Sequence, residues 1–155
     1  MKELQTFGVY KGEGKYHEEA LYSLALLYNI ISTDISHYLK KYNLTIGKFN
    51  VLIAIKHHGG DKGISQVEVS KHLIVTPSNM TIMIDKLEKD GLVKRCPLSG
   101  DRRVNIAKIT RKGSGLLDRL WPGYNETLKK QMKDISKDKQ KAIAVLLVEW
   151  FEKRV

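Results

Sequence analysis

Short hydroxyl and amide side chains recur, together with one amino group, between residues 76 and 86. Side chains of these types hydrogen bond to the edges of nucleic-acid bases, and an asparagine amide can pair with adenine. The segment also carries apolar residues at the helical spacing i, i+3, i+4 and i+7, which are Met80, Met83, Ile84 and Leu87. This spacing predicts a helix that buries the apolar face and leaves the polar face outward. We therefore predict that the outward face contacts DNA through Thr76, Ser78, Asn79, Thr81, Ile82 and Lys86. Ile82 has two open interpretations, a contact with a thymine methyl group or an exposed residue without a role.

A second group of charged residues lies between Gly91 and Lys112. The seven basic residues in it are Lys94, Arg95, Arg102, Arg103, Lys108, Arg111 and Lys112, and the only acid is Asp101. Such a concentration of positive charge favours contacts with phosphate groups or the minor groove. Asp101 can hold one guanidinium in a bidentate pair, which leaves Arg102 or Arg103 for the groove. The alternative interpretation is a charged face that is only solvated.

Two short helices are predicted to position the first group. Ser65 followed by Glu68 is the pattern of a capping box, which begins the first helix. The apolar side of this helix is predicted to comprise Val67, Leu73 and Ile74. Thr76 and Pro77 begin the second helix as N-cap and first helical residue, and Gly91 ends it. Two short helices joined by a tight turn form a helix-turn-helix unit, whose second helix can enter a DNA major groove.

The second group lies on a predicted β-hairpin. Residues 92–96 and 104–109 favour strands, and residues 97–101 favour a turn because they are rich in Pro, Gly, Ser and Asp. Ile64 is predicted to add a short third strand beside the hairpin. The hairpin forms a wing next to the two helices. The predicted fold class is therefore mainly α with a small β-hairpin wing, a winged helix-turn-helix with helices on both sides.

Four fragments resemble, in order and spacing, the signatures of MarR-type winged-helix regulators. They are TPSN at 76–79, LEKDGLVKR at 87–95, DRR at 101–103 and ITRKG at 109–113. The resemblance covers residues 64–113 and implies a bacterial or archaeal homodimeric transcription factor, with recognition helices in two major grooves and wing arginines near the minor groove. For many members it also implies release from DNA by a small ligand or by thiol oxidation. Many relatives carry an arginine where this chain has Ile82, so their operator cannot be carried over.

The rest of the chain is predicted to be helical and to serve dimerisation. Within one domain of residues 1–155, we expect a flexible arm at 1–15, dimerisation helices at 16–44 and 114–155, and a winged-helix DNA-binding lobe at 45–113. Pro122 is predicted to kink or split the long helix that Thr110 begins. The last helix, which Ser136 begins, has a broad apolar face that a two-fold partner can bury. A monomer whose end helices pack on each other is the alternative.

The composition favours a polyanionic partner and no catalysis. The formal net charge is +10, and the hydrophobic content of 42% suffices for an ordinary core. Phosphate-binding glycine loops and metal-ligand patterns are absent from the sequence, so we expect no cofactor, no metal and no enzymatic activity. No signal peptide and no membrane span is recognised, and the single cysteine, Cys96, suits a reducing compartment. We therefore expect a cytoplasmic protein.

Six of the seven tyrosines lie within the first 42 residues. Tyr22, Tyr28, Tyr38 and Tyr42 can line a pocket for a small aromatic or apolar effector, between the first helix and the DNA-binding lobe. They can equally be amphipathic residues of an interface.

Three functions from different classes follow from these patterns. The favoured one is a sequence-specific, homodimeric transcriptional regulator, a repressor on a palindromic operator that responds to a small ligand. The second is an architectural protein that binds DNA through charge alone. The third is an enzyme using Asp101 or the histidines, which neither a paired acid–base spacing nor an activated nucleophile supports.

Overall fold

A computed structural model describes residues 5–6, 12, 14–73, 76–98 and 101–154, without the side chains of residues 77, 98 and 101–105. Its helices are α1 (Tyr16–Lys40), α2 (Ile46–Gly59), α3 (Gln66–Leu73), α4 (Pro77–Lys89), α5 (Arg111–Gln131) and α6 (Lys137–Glu152). Its strands are β1 (Ile64–Ser65), β2 (Val93–Leu98) and β3 (Asp101–Ile109). The predicted class, mainly α with a small β wing, is confirmed. Most of the arm at residues 1–15 lies outside the described residues.

Three threonines begin helices, as their positions in the sequence predict. The hydroxyl oxygens of Thr45, Thr76 and Thr110 accept the backbone N–H three residues further on, with N···O distances of 3.2, 3.4 and 3.0 Å. Each bond satisfies a donor that the first turn of a helix otherwise leaves unpaired. The beginnings of α2, α4 and α5 are therefore set by local chemistry.

Gly91 ends α4 in the left-handed conformation, with φ at +71°. Its N–H donates to the Glu88 carbonyl, and the N–H of Leu92 donates to the Leu87 carbonyl, both at 2.9 Å. This paired arrangement satisfies the last carbonyls of the helix, and it favours glycine because a Cβ is strained at positive φ. The turn aims the chain directly from α4 into the wing.

The sheet has the strand order β1-β3-β2, and both pairings are antiparallel. The predicted third strand is confirmed, because Ile64 pairs with Ala107 of β3. The predicted turn at 97–101 was too long, since β2 continues to Leu98 and β3 already begins at Asp101. Pro97 is tolerated in β2 because this is an edge strand, where a missing N–H need not break the ladder.

Helix α3 buries a different face from the predicted one. Val67 is 56% exposed, whereas Val69 is fully buried and Ser70 nearly so. Leu73 packs against the core as predicted, and Ile74 lies outside the described residues. The prediction failed because an eight-residue helix offers only two turns, so its periodicity cannot distinguish Val67 from Val69.

Helix α4 is oriented as predicted. Met80, Ile84 and Leu87 are at most 1% exposed, and Met83 is half-buried. They join a core formed mainly by α2 and completed by the wing and α5; its larger members are Phe49, Leu52, Ile55, Val93, Leu117 and Leu120. The inward face of α4 is thus fixed, and its opposite face is left to solvent.

Helix α5 runs without interruption through Pro122, so the predicted split is wrong. Proline removes the bond to the carbonyl of Asp118, but both residues lie on the solvent side, where water can replace it. On the inner side, Leu117 and Leu120 are buried and hold the helix to the core. Tyr38 of α1 adds a bond of 2.6 Å from its hydroxyl to the Leu120 carbonyl.

Helix α6 buries none of its residues within the chain. The broad apolar face predicted for this helix is exposed and includes Ile143, Leu146, Leu147, Trp150 and Phe151. Helix α1 leaves Leu21, Leu24, Leu27 and Tyr28 exposed as well. Gln140 ties the beginning of α6 to the end of α5 by donating to the carbonyls of Met132 and Ile135, at 2.9 and 2.7 Å. Within the described part of the chain, no helix is long and apolar enough to cross a membrane.

Candidate nucleic-acid interface

The outer face of α4 carries the side chains that the sequence singled out. Ser78, Asn79, Thr81, Ile82 and Lys86 are all exposed, and Ile82 is 51% exposed. Thr76 is exposed too, but one lone pair of its oxygen is used in capping α4. Its hydroxyl proton remains available for an acceptor such as a phosphate oxygen. The structure therefore brings the six residues onto one side of α4 and its N-terminus.

Gln66, the first residue of α3, is a further polar group at this face, and sequence reasoning missed it. Its Nε2 donates a hydrogen bond to Oγ1 of Thr81, although the two residues are 15 apart in sequence. The position of Gln66 directly after the N-cap Ser65 was visible in the sequence. Its partner was not, because the contact depends on how α3 and α4 pack.

Arg95 differs from the sequence interpretation, which counted it among the basic residues available to a polyanion. Its guanidinium pairs with Asp85 at 2.5 Å and with Glu88 at 2.7 Å, and its backbone N–H donates to Glu88 at 2.9 Å. These bonds to Arg95, the backbone one first and the side-chain one second, lower the pKa of Glu88. Burial alone would lower the pKa of Arg95, but its two carboxylate partners raise it. Arg95 therefore fastens β2 to α4.

The acids on α4 and at its C-terminal end are neutralised by residues of other elements. Asp85 and Glu88 are paired with Arg95, and Asp90 is paired with Lys48 of α2 at 2.7 Å. Among the described ion pairs, none involves Lys86 or Lys89. Because the carboxylates are compensated, the net charge of the α4 surface is positive, which suits an approaching phosphate backbone.

Two of the remaining basic residues of the wing region are held by backbone carbonyl groups, and a third is exposed. Lys108 and Lys112 donate to the carbonyl oxygens of Asp61 and Asp90, at 3.0 and 2.7 Å, and these neutral acceptors do not cancel the lysine charges. Lys94 is exposed. The side chains of Asp101, Arg102 and Arg103 lie outside the described residues, so the predicted pair and the groove contact stay predictions.

The N-terminus of α5 locks the turn between α4 and the wing. The hydroxyl of Thr110 lies 2.8 Å from the Gly91 carbonyl oxygen and 3.1 Å from that of Leu92. Gly113 is buried so close to Leu92 that a Cβ added to it would collide with the Leu92 carbonyl oxygen. The angle between α4 and the wing therefore depends on this close approach.

The tyrosines named as candidate pocket residues fall into two places. Tyr22 and Tyr28 are exposed on α1. Tyr38 and Tyr42 pack together with ring centroids 5.5 Å apart and hydroxyl oxygens 3.3 Å apart, and burial raises the pKa of Tyr38 to about 12. Of the four, only Tyr38 lines a described cavity, a groove of about 490 Å³ between α1 and α5. The structure does not bring the four together around one space.

A second cavity, of about 250 Å³, lies between α2 and α5. Ile53, Leu117 and Trp121 supply apolar walls, and Lys56, His57 and Asp118 supply polar ones. Lys56 and Asp118 form an ion pair of 2.6 Å. Trp121 is 40% exposed, so its ring can be reached from solvent. This cavity therefore lies between the winged-helix unit and α5, the helix that leads toward α6.

Histidine and cysteine chemistry is sparse in the described part of the chain. His58 and His72 stack with ring centroids 3.8 Å apart, which links the ends of α2 and α3. Within the described residues, no group of three or more His, Cys, Asp or Glu side chains is placed to hold a metal ion. Cys96 is half-buried in β2.

Comparisons with known proteins agree with this geometry. The family model described as MarR family matches residues 44–104. The HTH-type transcriptional regulator MhqR of Bacillus subtilis is 29% identical over 115 residues, which are 74% of this chain and 77% of MhqR. The HTH-type transcriptional regulator PecS of Dickeya dadantii is 25% identical over 118 residues, 76% of this chain and 71% of PecS. The names of these relatives describe regulators and not enzymes, in agreement with the non-enzymatic protein that the sequence predicts.

Solved structures share the fold. A mutant of MarR from E. coli complexed with operator DNA superposes with a TM-score of 0.76 at 23% identity, covering 83% of this chain and 90% of that one. The matched family model spans the core of the winged-helix unit, from the end of the α1–α2 turn into β3. The chain therefore matches the MarR family model over its winged-helix unit, and about three quarters of its length is similar to HTH-type transcriptional regulators.

Proposed function

We propose that this protein is a sequence-specific DNA-binding transcriptional regulator, acting as a homodimeric repressor on a palindromic operator. The observation that carries the proposal is the outer face of α4, which exposes hydroxyl and amide groups. The acids on this helix and at its end are neutralised by Arg95 and Lys48. Such a face can approach phosphates without repulsion and still present groups that distinguish bases. A MarR mutant from E. coli that shares this fold is complexed with operator DNA, which supports the proposal of DNA binding.

A competition experiment tests sequence specificity. The purified chain is used to select fragments from genomic DNA, and a selected duplex is then titrated in the presence of excess unrelated duplex. We expect the selected duplex to bind at least about a thousandfold more tightly than unrelated DNA at physiological salt. Asn79→Ala should lower affinity most for duplexes with an adenine at one position of each half-site. Equal affinity for selected and unrelated DNA would overturn the proposal.

The second candidate function, charge-driven architectural binding, is favoured by the net charge of +10. In that case affinity falls steeply with salt for every duplex alike, because counterion release is independent of sequence. The same competition experiment decides between the two functions. A specificity ratio near one, together with a steep salt dependence, would establish the architectural alternative.

Dimerisation is proposed from the apolar surfaces at the two ends of the chain. Helix α6 exposes its apolar residues along most of its length, and α1 does so over its first half. Contiguous apolar surface of this kind is rare on monomeric proteins and marks an interaction site. A second copy is the economical partner, since two-fold symmetry also supplies two α4 helices for the two half-sites of a palindrome.

The effector is proposed to be a small aromatic acid bound between α5 and the winged-helix unit. The cavity between α2 and α5 supports this because Trp121 offers a flat ring, and Lys56 and His57 offer groups that attract a carboxylate. The ligand carboxylate would replace Asp118 as the partner of Lys56. A ligand that favours a half-site spacing different from roughly 34 Å would lower affinity for DNA.

Salicylate titration tests the effector proposal. Binding to the free protein should be tighter than binding to the DNA complex, and DNA affinity should fall by the same factor in the presence of salicylate. Trp121→Ala should weaken salicylate binding, whereas Tyr38→Phe, in the other groove, should not. Equal salicylate affinity in the presence and absence of DNA would exclude a regulatory role for this ligand.

A further inference from the structure

Gln66 forms a polar bridge from α3 to the reading face of α4. Its side-chain amide donates to the hydroxyl of Thr81. The bridge lies outside the hydrophobic core, since Gln66 is half-buried and Thr81 is exposed. Packing of α3 on α4 is already provided by buried residues such as Val69 and Met80. The bridge is therefore available for a role other than holding the two helices together.

The backbone of Gln66 is fixed from two directions. Ser65, the preceding residue, pairs with Ile106 of β3, so the backbone next to Gln66 is attached to the sheet. A complete capping box then holds the start of α3, with the Ser65 N–H donating to Glu68 at 3.0 Å and the Glu68 N–H donating to Ser65 at 3.2 Å. The hydrogen bonds from Ser65 lower the pKa of Glu68, which keeps this carboxylate charged. A side chain that starts from so rigid a base can position its partner.

The bridge also determines how Thr81 can interact with DNA. A threonine hydroxyl has one proton and two lone pairs, and the Gln66 amide occupies one lone pair. The amide of Gln66 keeps a second N–H and a carbonyl oxygen, both beside Thr81. Thr81 follows Ser78 by three residues, so it projects from the same side of α4, the side that meets base edges in helix-turn-helix proteins.

We infer that Gln66 is a specificity-determining residue, which fixes the Thr81 hydroxyl so that the joined amide and hydroxyl recognise one base pair in each half-site. The inference rests on the proposed function, sequence-specific DNA binding. The physical reason is preorganisation, because side chains already held in place lose less conformational freedom when they meet a base edge. Without Gln66 the joined amide and hydroxyl are lost as a unit, so discrimination falls while attraction to phosphates remains.

The test compares Gln66→Ala, Thr81→Val and the double variant. Each protein selects from a random duplex pool, and is then titrated with the preferred duplex of the wild type and its single-base variants. In both single variants, the affinity ratio between the preferred duplex and a single-base variant should fall about tenfold at the same position of the half-site. A change of this size lies within the range of affinity that one mismatched base pair costs. The double variant should lose no more than the larger single effect, since coupled residues are not additive. The salt dependence should be unchanged, because no charge is removed.

Gln131→Ala is the matched control. It removes the same amide from an exposed hydrogen bond, here between α5 and Asp34 of α1 at 2.7 Å. We expect its base preferences to equal those of the wild type. Thermal unfolding of all variants verifies that they are folded, and Gln66→Ala should unfold close to the wild type because it deletes no buried group.

Several outcomes would overturn the inference. An equal loss of affinity on every duplex would make Gln66 a backbone or folding contact. Effects of the two variants at different positions, or effects that add in the double variant, would show that the residues act separately. If the wild type selects a defined half-site and Gln66→Ala keeps every preference, only the inference on Gln66 fails. If the wild type selects none, the proposed function fails with it.

Discussion

At the scale of single residues, the charge on the surface of α4 and the wing depends on which side chains form ion pairs more than on how many basic residues are present. Arg95 belongs to the basic segment in the sequence, yet two carboxylates of α4 occupy its guanidinium. The same contact removes negative charge from α4. Phosphate attraction therefore falls to the other basic residues, and we expect a wing contact from Arg102 or Arg103.

Replacing Arg102 and Arg103 by alanine should weaken DNA binding in a salt-dependent way. A plot of log affinity against log salt concentration should become shallower by about one unit for each lost phosphate contact. Arg119→Ala, which removes one charge from the exposed side of α5, is the control and should leave the slope unchanged. A double variant with wild-type slope and affinity would exclude a wing contact.

Glu88→Gln should reduce the pH dependence of stability in acid. The contacts with Arg95 lower the pKa of Glu88 below its ordinary value of 4.5. A group whose pKa is lower in the folded state stabilises the fold above its unfolded pKa, and this contribution is lost as the pH falls through the folded-state pKa. Wild type should therefore be more stable than the variant at pH 7, with a difference that shrinks below about pH 4.5, measured by urea unfolding.

The control for Glu88 is Glu126→Gln. Glu126 is paired with Lys129 at 2.7 Å on the open surface of α5, where ion pairs contribute little. Its substitution should change stability at pH 7 by less than that of Glu88. An equal difference between wild type and Glu88→Gln at pH 3 and pH 7 would contradict the ion-pair explanation.

At the scale of elements, the wing and α4 form one unit because three junctions connect them. The Gly91 turn joins them in sequence, Arg95 joins them by charge, and the beginning of α5 closes over the turn through Thr110 and Gly113. A DNA reader requires this rigidity, since the helix and the wing must meet two grooves at once.

Gly113→Ala should destabilise the protein, by about 1–3 kcal/mol, as overpacking of a buried site does. The added methyl group would collide with the backbone carbonyl oxygen of Leu92, which cannot move without displacing the wing. Gly115→Ala, in the same helix, meets only the end of the Arg119 side chain, at 3.7 Å, and should be neutral or stabilise by up to about 1 kcal/mol. Thermal unfolding of the two variants measures the contrast, and equal effects would refute the close-packing explanation.

At the scale of the whole molecule, the chain is asymmetric in how its surface is used. The winged-helix unit buries a complete core, whereas α6 and the first half of α1 leave large apolar side chains in solvent. Covering this exposed apolar surface is favourable, because apolar groups are more stable away from water. The proposed dimer covers it and sets the distance between two α4 helices.

Sedimentation should find the wild-type chain dimeric at micromolar concentration and a Leu146→Lys, Phe151→Lys variant monomeric. Both residues are more than half exposed, so lysine there does not disturb the fold of a single chain. Lys139→Ala, also exposed on α6, is the control and should remain dimeric. A wild-type chain that stays monomeric would contradict the dimer, and with it the two half-sites.

The sequence by itself determined whatever depends on neighbours along the chain. The threonine caps of α2, α4 and α5, the glycine turn after α4 and the outward side of α4 follow from side-chain chemistry and from periodicity within a few residues. The four motif fragments, by their order and spacing alone, also indicated the family whose model matches residues 44–104. Short elements were less certain, and the buried face of α3 was mispredicted because two turns give too weak a period.

Tertiary structure alone decided the contacts between segments distant in sequence. Gln66 meeting Thr81, Arg95 meeting Asp85, and the separation of Tyr22 and Tyr28 from Tyr38 depend on the packing angles of helices, which no local pattern encodes. The continuity of α5 through Pro122 was decided in the same way, since burial of Leu117 and Leu120 outweighs the local preference of proline to break a helix. Helix and strand propensities act over a few residues, whereas the free energy of apolar burial is summed over the whole core. The larger of these two contributions decides which structure a segment adopts.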